Sequence, residues 1–125
     1  MPSLIKLQTI HQSRGSLTVI EKILPFPVKR VFYIYNVPPG SVRGGHSHKR
    51  TRMALIALQG SCKITGAWDA WEYRLDDPSL ALILEPTDWH EMRFDLPGTI
   101  LLCLASEEFD EDDYVDEKPP KETHQ

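Results

Sequence analysis

The sequence predicts an all-β domain, an antiparallel barrel or sandwich, on three observations. Helical periodicity is poor throughout. Ten prolines and seven glycines break the 125 residues at short intervals. Between those breaks lie short apolar or aromatic runs of strand length. The first two runs are 17–23 and 31–37, and Pro38-Pro39-Gly40 then opens a loop toward a histidine-containing segment. Runs 53–58 and 62–64 lie on either side of Gly60. Runs 71–75 and 80–84 flank the turn signal Asp76-Asp77-Pro78, and Leu96-Pro97-Gly98 precedes the last run, 99–104. Within it Ile100-Leu101-Leu102-Cys103-Leu104 does not alternate, which predicts a strand buried on both faces.

A chain of this length fits one domain, expected over 1–114, with an acidic, proline-containing tail over 115–125 expected to fray. Hydrophobic residues make up 41% and charged residues 26%, which leaves enough apolar material for a core without staples. Cys62 and Cys103 lie in apolar runs and read as free buried thiols, so a reducing, cytoplasmic compartment is expected. The start of the chain shows no basic segment followed by a long apolar stretch, and no membrane association is expected. The net charge is −4, but residues 107–125 hold nine of the 18 acids and only two of the 14 Lys and Arg. The remaining twelve cations and nine acids leave the body at +3. That is too weak for a nucleic-acid footprint and compatible with a small anionic ligand. The acidic run 107–117 reads as a solvated end.

The chemistry concentrates in Arg43-Gly44-Gly45-His46-Ser47-His48-Lys49. On an extended segment His46 and His48 point to one face, because strand side chains alternate with period 2. The two glycines permit close approach of backbone or ligand. The flanking cations suit an anionic group, a phosphate above all. Two imidazoles that titrate near neutral pH therefore sit beside a phosphate-compatible charge.

Gly40, His46, His48 and Gly60 resemble the first motif of the cupins, which are jelly-roll barrels. Metal-binding cupins place a Glu four or five residues after the second His. Here those positions hold Arg52 and Met53, both unsuited to a hard metal. In Pro86-Thr87-Asp88-Trp89-His90-Glu91, His90 falls one place early in the second cupin motif and Glu91 takes the ligand position. A slip of one residue turns a side chain to the other face, so His90 is left out of the site. A site of His46, His48 and Glu91 is the metal-binding alternative. Histidine acid/base work with no metal and no cofactor is the expectation.

A longer set of motifs resembles the nucleotide-sugar 3,4-ketoisomerases, the cupin enzymes that act on dTDP-4-keto-6-deoxyglucose. It comprises Arg14-Gly15-Ser16-Leu17, Glu21, the stretch 25–34, the histidine segment, Gly60-Ser61-Cys62, Trp89-His90-Glu91-Met92, Leu104-Ala105-Ser106 and Phe109-Asp110-Glu111-Asp112-Asp113-Tyr114. The match is collinear from Arg14 to Tyr114. The resemblance implies metal-free proton transfer α to a carbonyl, with His46 assigned to the carbon-bound proton and His48 to the oxygens. It makes Arg14 and Arg43 the expected diphosphate ligands. Tyr33 and Tyr35 share a strand face; one orients the hexose, while the other packs in the barrel or stacks on the thymine. A dTDP-linked keto sugar is the expected partner. A homodimer with exchanged N-terminal strands is also implied, with 4–7 and 17–23 as candidates for exchange. The alternatives are a keto-sugar epimerase and a non-catalytic sugar-binding cupin. Met53 stands where the family usually has Gln, Phe109 where Tyr is common, and the chain departs from the family after Tyr114.

Overall fold

The structure is a computed structural model that describes residues 1–121. The strands in chain order are β1 (Ser3–Lys6), β2 (Gln8–Gln12), β3 (Gly15–Val19), β4 (Arg30–Ile34), β5 (Ser41–His48) and β6 (Met53–Gln59). They continue with β7 (Cys62–Gly66), β8 (Glu72–Leu75), β9 (Leu80–Leu84), β10 (His90–Phe94), β11 (Ile100–Ala105) and β12 (Tyr114–Val115). One five-stranded sheet runs β1-β9-β6-β11-β4 and the other β12-β5-β10-β7-β8. Every pairing is antiparallel. Facing each other across one core, the sheets form the cupin jelly roll that the sequence predicts. Among the described residues no helix is long and apolar enough to cross a membrane.

The core lies on two levels. Leu55, Leu82, Leu101 and Cys103 from the first sheet meet Cys62, Ile64, Leu75, Met92 and Phe94 from the second. On the outer side of the first sheet, Ala54, Ile56, Ile83 and Leu104 are covered by Leu7 and Phe26, with Leu24 beside them. The N-terminal segment thus lets β6 and β11 be apolar on both faces, as the unbroken run in β11 predicts. Both cysteines are free and buried, and burial pushes each thiol up to about 12.

Five strands lie outside the apolar runs, the short β12 among them. β1 and β2 stand outside those runs, and β5 carries the extended histidine segment after the loop that Pro38-Pro39-Gly40 opens. β10 alternates His90, Met92 and Phe94 inward with Glu91 and Arg93 between them, a half-buried pattern hidden by its charges. The run 17–23 stops being strand after Val19. β1 pairs with β9 of its own chain, whereas β2 and β3 form a separate two-stranded sheet. That hairpin leaves Ile10 and Leu17 exposed.

The tail expected to fray is tied to the barrel through its described part. Tyr114 and Val115 pair with β5, and the indoles of Trp89 and Trp68 donate to the carbonyls of Asp116 and Pro119. Residues 122–125 of that tail, with His124, lie outside the described residues.

Candidate active site

β5 and β10 build the floor of the site. His90 pairs with His46 and Glu91 with Gly44, so Gly45 is the extra residue of a β-bulge. Gly44 and Gly45 have φ of +86° and +77°, which side-chain-bearing residues rarely adopt. A Cβ on Gly44 would also come within 3.1 Å of the His90 carbonyl oxygen. The paired glycines therefore let β5 press against β10 as it delivers its histidines to the interior.

His90 is a correction. The motif spacing set it off the site, yet the alternation of β10 turns it inward, where it is 1% exposed. Its ring centroid is 5.2 Å from that of His46 and 6.4 Å from that of His48, and His46 and His48 are 5.1 Å apart. The His48 and His90 rings are nearly parallel, at 20°. Among the described residues no group of three or more His, Cys, Asp or Glu is arranged to hold a metal ion. Arg52 forks onto Glu85 at 2.7 and 2.8 Å, and Met53 lines the same cavity as His46 and His48.

The acidic run supplies the second correction. Asp113 is 2% exposed and accepts from His48 Nδ1 at 3.1 Å, from the Arg50 amide at 2.7 Å and from the Thr51 hydroxyl. Burial raises the carboxyl pKa, but the bonds from Thr51, Arg50 and His48 outweigh it and leave Asp113 below its ordinary range. An ionised carboxylate only accepts, so the shared proton sits on His48 Nδ1 and the lone pair on Nε2. His90 is held likewise: Nδ1–H donates to the Asp88 carbonyl at 2.9 Å. Neither Nε2 has a hydrogen-bond partner among the described residues.

Burial lowers the pKa of all three imidazoles. For His46 it is the largest cause and the neighbouring His48 the second, opposed by Asp116 and a backbone hydrogen bond with Gly44. For His48, burial outweighs the hydrogen bond and charge of Asp113. His90 is brought down to about 4, by burial first, against the bond to Asp88. All three are therefore neutral at neutral pH.

A cavity of about 480 Å³ opens above His46 and His48. Arg43, Tyr33 and Tyr35 line it, together with Arg30, Phe32 and Tyr114. Both tyrosines are exposed rather than packed in the barrel, with ring centroids 5.6 Å apart. Arg14 is not brought to this cavity; it lies in the turn between β2 and β3. Sequence reasoning assigned no role to Tyr114, Asp113 or Arg30. The Tyr114 ring stands 4.9 Å from that of His46 and 4.5 Å from that of His48. The Arg30 guanidinium lies 4.4 Å over Phe32 and faces the cavity. Tyr114 had one visible signal, an aromatic closing a charged run. Asp113 had none, because 65 residues separate it from His48.

Residues 1–120 match the family model described as FdtA, WxcM-like, C-terminal. The TDP-4-oxo-6-deoxy-α-D-glucose-3,4-oxoisomerase of Aneurinibacillus thermoaerophilus is 38% identical over 115 residues, covering 89% of this chain and 83% of that protein. Among solved structures, a His-to-Asn mutant of the 3,4-ketoisomerase QdtA from Thermoanaerobacterium thermosaccharolyticum, in complex with TDP-4-keto-6-deoxyglucose, superposes with a TM-score of 0.88. It is 43% identical, over 93% of this chain and 87% of that one. A 3,4-ketoisomerase from Helicobacter canadensis gives 0.87 at 35% identity, over 93% and 90% of the two chains. With its jelly roll and paired histidines, the chain belongs to the WxcM-like FdtA family of sugar 3,4-ketoisomerases.

Proposed function

We propose that the protein moves the ketone of dTDP-4-keto-6-deoxy-D-glucose from C4 to C3 by histidine acid/base catalysis without a metal. His46 takes the C3 proton, and the electrons of the C–H bond form an enediolate whose charge rests on the C4 oxygen. His48 relays the hydroxyl proton from O3 to O4 through Nε2. Reprotonation at C4 and collapse of the O3 enolate complete the transfer, so atoms and electrons balance within the substrate. One observation carries the reading: Asp113 holds His48 with its Nε2 lone pair free, ring to ring with His46, at the base of a cavity rimmed by Arg43 and Arg30. Imidazoles neutral at working pH can act as bases, and general acid/base groups of this kind contribute about 10²- to 10⁴-fold.

Arg43 offers a planar fork to the diphosphate, and the exposed faces of Tyr33 and Tyr35 suit the hexose or the thymine. Arg14 enters this scheme through a second copy. The β2–β3 hairpin stands as its own small sheet with exposed apolar residues, so exchange between protomers of a homodimer would bring Arg14 to the partner's cavity. Residues 1–114 form the single cupin domain. Buried free thiols and a sugar-nucleotide substrate support a cytoplasmic setting.

The test is incubation with dTDP-4-keto-6-deoxyglucose in D₂O with a strong chelator, followed by NMR and mass analysis. The expected product carries its ketone at C3 and solvent deuterium at C4. An inverted centre with the ketone still at C4 would mean epimerisation. No deuterium uptake would mean binding without turnover. Activity lost to the chelator and restored by one divalent ion would overturn the metal-free mechanism.

A further inference from the structure

The register of β12 on β5 sets Tyr114 opposite His48 and Val115 opposite Ser47. The pairing ends at Val115, and the same direction carried one residue on would set Asp116 opposite His46, on the face that directly opposite residues of an antiparallel pair share. The chain beyond is tied down at successive points. Trp89, buried against Gly45, donates its Nε1–H to the Asp116 carbonyl at 3.3 Å. The Lys118 ammonium lies 4.0 Å from the Trp68 ring centroid and 5.2 Å from that of Trp89. Trp68 also donates its Nε1–H to the Pro119 carbonyl at 2.8 Å. Trp68 itself is held at φ +56°, an unfavourable conformation for a bulky residue that persists where its surroundings fix it. These ties order a segment that by composition would be solvated.

We propose that residues 115–119 form a strap holding the Asp116 carboxylate over His46, so that Asp116 is a positioning residue for the carbon base. The inference rests on the assignment of His46 to the C3 proton. Apart from the backbone hydrogen bond with Gly44, the other groups around His46 do not favour its protonated form. His48 and Arg43 share its strand, His90 faces it neutral from β10, Tyr114 stands beside it on the tail, and Arg30 of β4 lines the same cavity. Asp113 is engaged with His48, and Lys118 with the two indoles. Asp116 raises the basicity of His46 against burial and His48. A carboxylate there stabilises the imidazolium that forms as the C3 proton is taken.

Asp116 is exposed, so Asp116→Asn is expected to fold as the parent does. The experiment is NMR titration of the imidazole Cε1–H resonances of the full chain, with His46 assigned by His46→Asn. It is paired with the pH profile of kcat/KM for the keto sugar. In Asp116→Asn the His46 pKa should fall, with the acid limb of kcat/KM moving down with it. Asp116→Glu should restore both. Trp68→Phe, which keeps the ring but loses the donor to Pro119, should give a smaller fall in the same direction. A His46 titration unchanged by Asp116→Asn overturns the proposal. A shifted titration with an unmoved acid limb supports the placement of the Asp116 carboxylate at His46 but overturns the assignment of His46 to the carbon, so the two readings fail separately.

Discussion

Asp113 accepts from His48, Arg50 and Thr51 at once, and this fixes which nitrogen of His48 faces the cavity side. Asp113→Asn tests that function with little change in size. The amide can turn its NH₂ toward Nδ1, which moves the imidazole proton to Nε2 and blocks acceptance there. Turnover should fall, by no more than the about 10²- to 10⁴-fold that the imidazole itself contributes, with affinity for dTDP kept. Circular dichroism and dTDP titration on the variant separate lost chemistry from lost folding. His46→Asn should abolish both isomerisation and washout of the C3 hydrogen into D₂O. His48→Asn should slow ketone migration while some C3 exchange survives, because enolate formation does not need the oxygen relay. Reversed phenotypes would exchange the two roles. Near-normal isomerisation in both would end the catalytic proposal. Because burial lowers both pKa values from 6.5, the acid limb of kcat/KM should lie below pH 6.5, with activity lost as the bases protonate beneath it.

The β5 bulge is the element on which this geometry turns. Gly44→Ala would force an alanine to φ near +86° with its Cβ close to the His90 carbonyl. The left-handed conformation costs roughly 1–2 kcal/mol, so Tm should drop measurably. The strand that carries His46 would shift as well, and kcat should fall by more than the folded fraction does. Equal loss of activity and folded protein would make the bulge purely structural. The same element shows how far the sequence speaks. The paired histidines, their shared face and the neighbouring Arg43 were legible, since period 2 is local information. So was the double burial of β11, from its unbroken apolar run. His90 was misread because cupin motif spacing was weighed above the alternation of its own strand, where Met92 and Phe94 already mark the inward face. Asp113 was read as solvated because its composition is that of a surface. Only the return of the chain to β5 buries it, and no local pattern encodes that pairing. Arg14 is legible as a cation with a family resemblance, but its hairpin is set apart from its own cavity.

Across the whole molecule, three neutral imidazoles packed together, His48 and His90 buried and His46 half-buried, make stability depend on pH. His90 is the strongest case, at about 4 when folded against 6.5 unfolded. As pH falls below 6.5 the unfolded chain binds a proton there that the folded chain does not, until about pH 4. The stability is therefore fully present above 6.5 and lost between 6.5 and 4, on the order of 3 kcal/mol for this group. His46 and His48, also lowered, add to the loss in the upper part of that window. Asp113 acts further down: its depressed folded value contributes stability above 3.8 that disappears as pH falls through the folded value. Urea unfolding at a series of pH values from 7 to 4.5 should show the decline before most carboxylates protonate. His90→Gln removes the titrating group while keeping a side chain of similar size and an N–H for the Asp88 carbonyl. The variant is expected to be less stable at pH 7, because a neutral amide fits the imidazole site imperfectly. The gap to the parent should narrow as pH falls, since only the parent carries a group that the unfolded state protonates preferentially. Parallel curves for parent and variant through that window would show that His90 is not held neutral, and the buried imidazole cluster would then have to carry charge at the pH where the enzyme works.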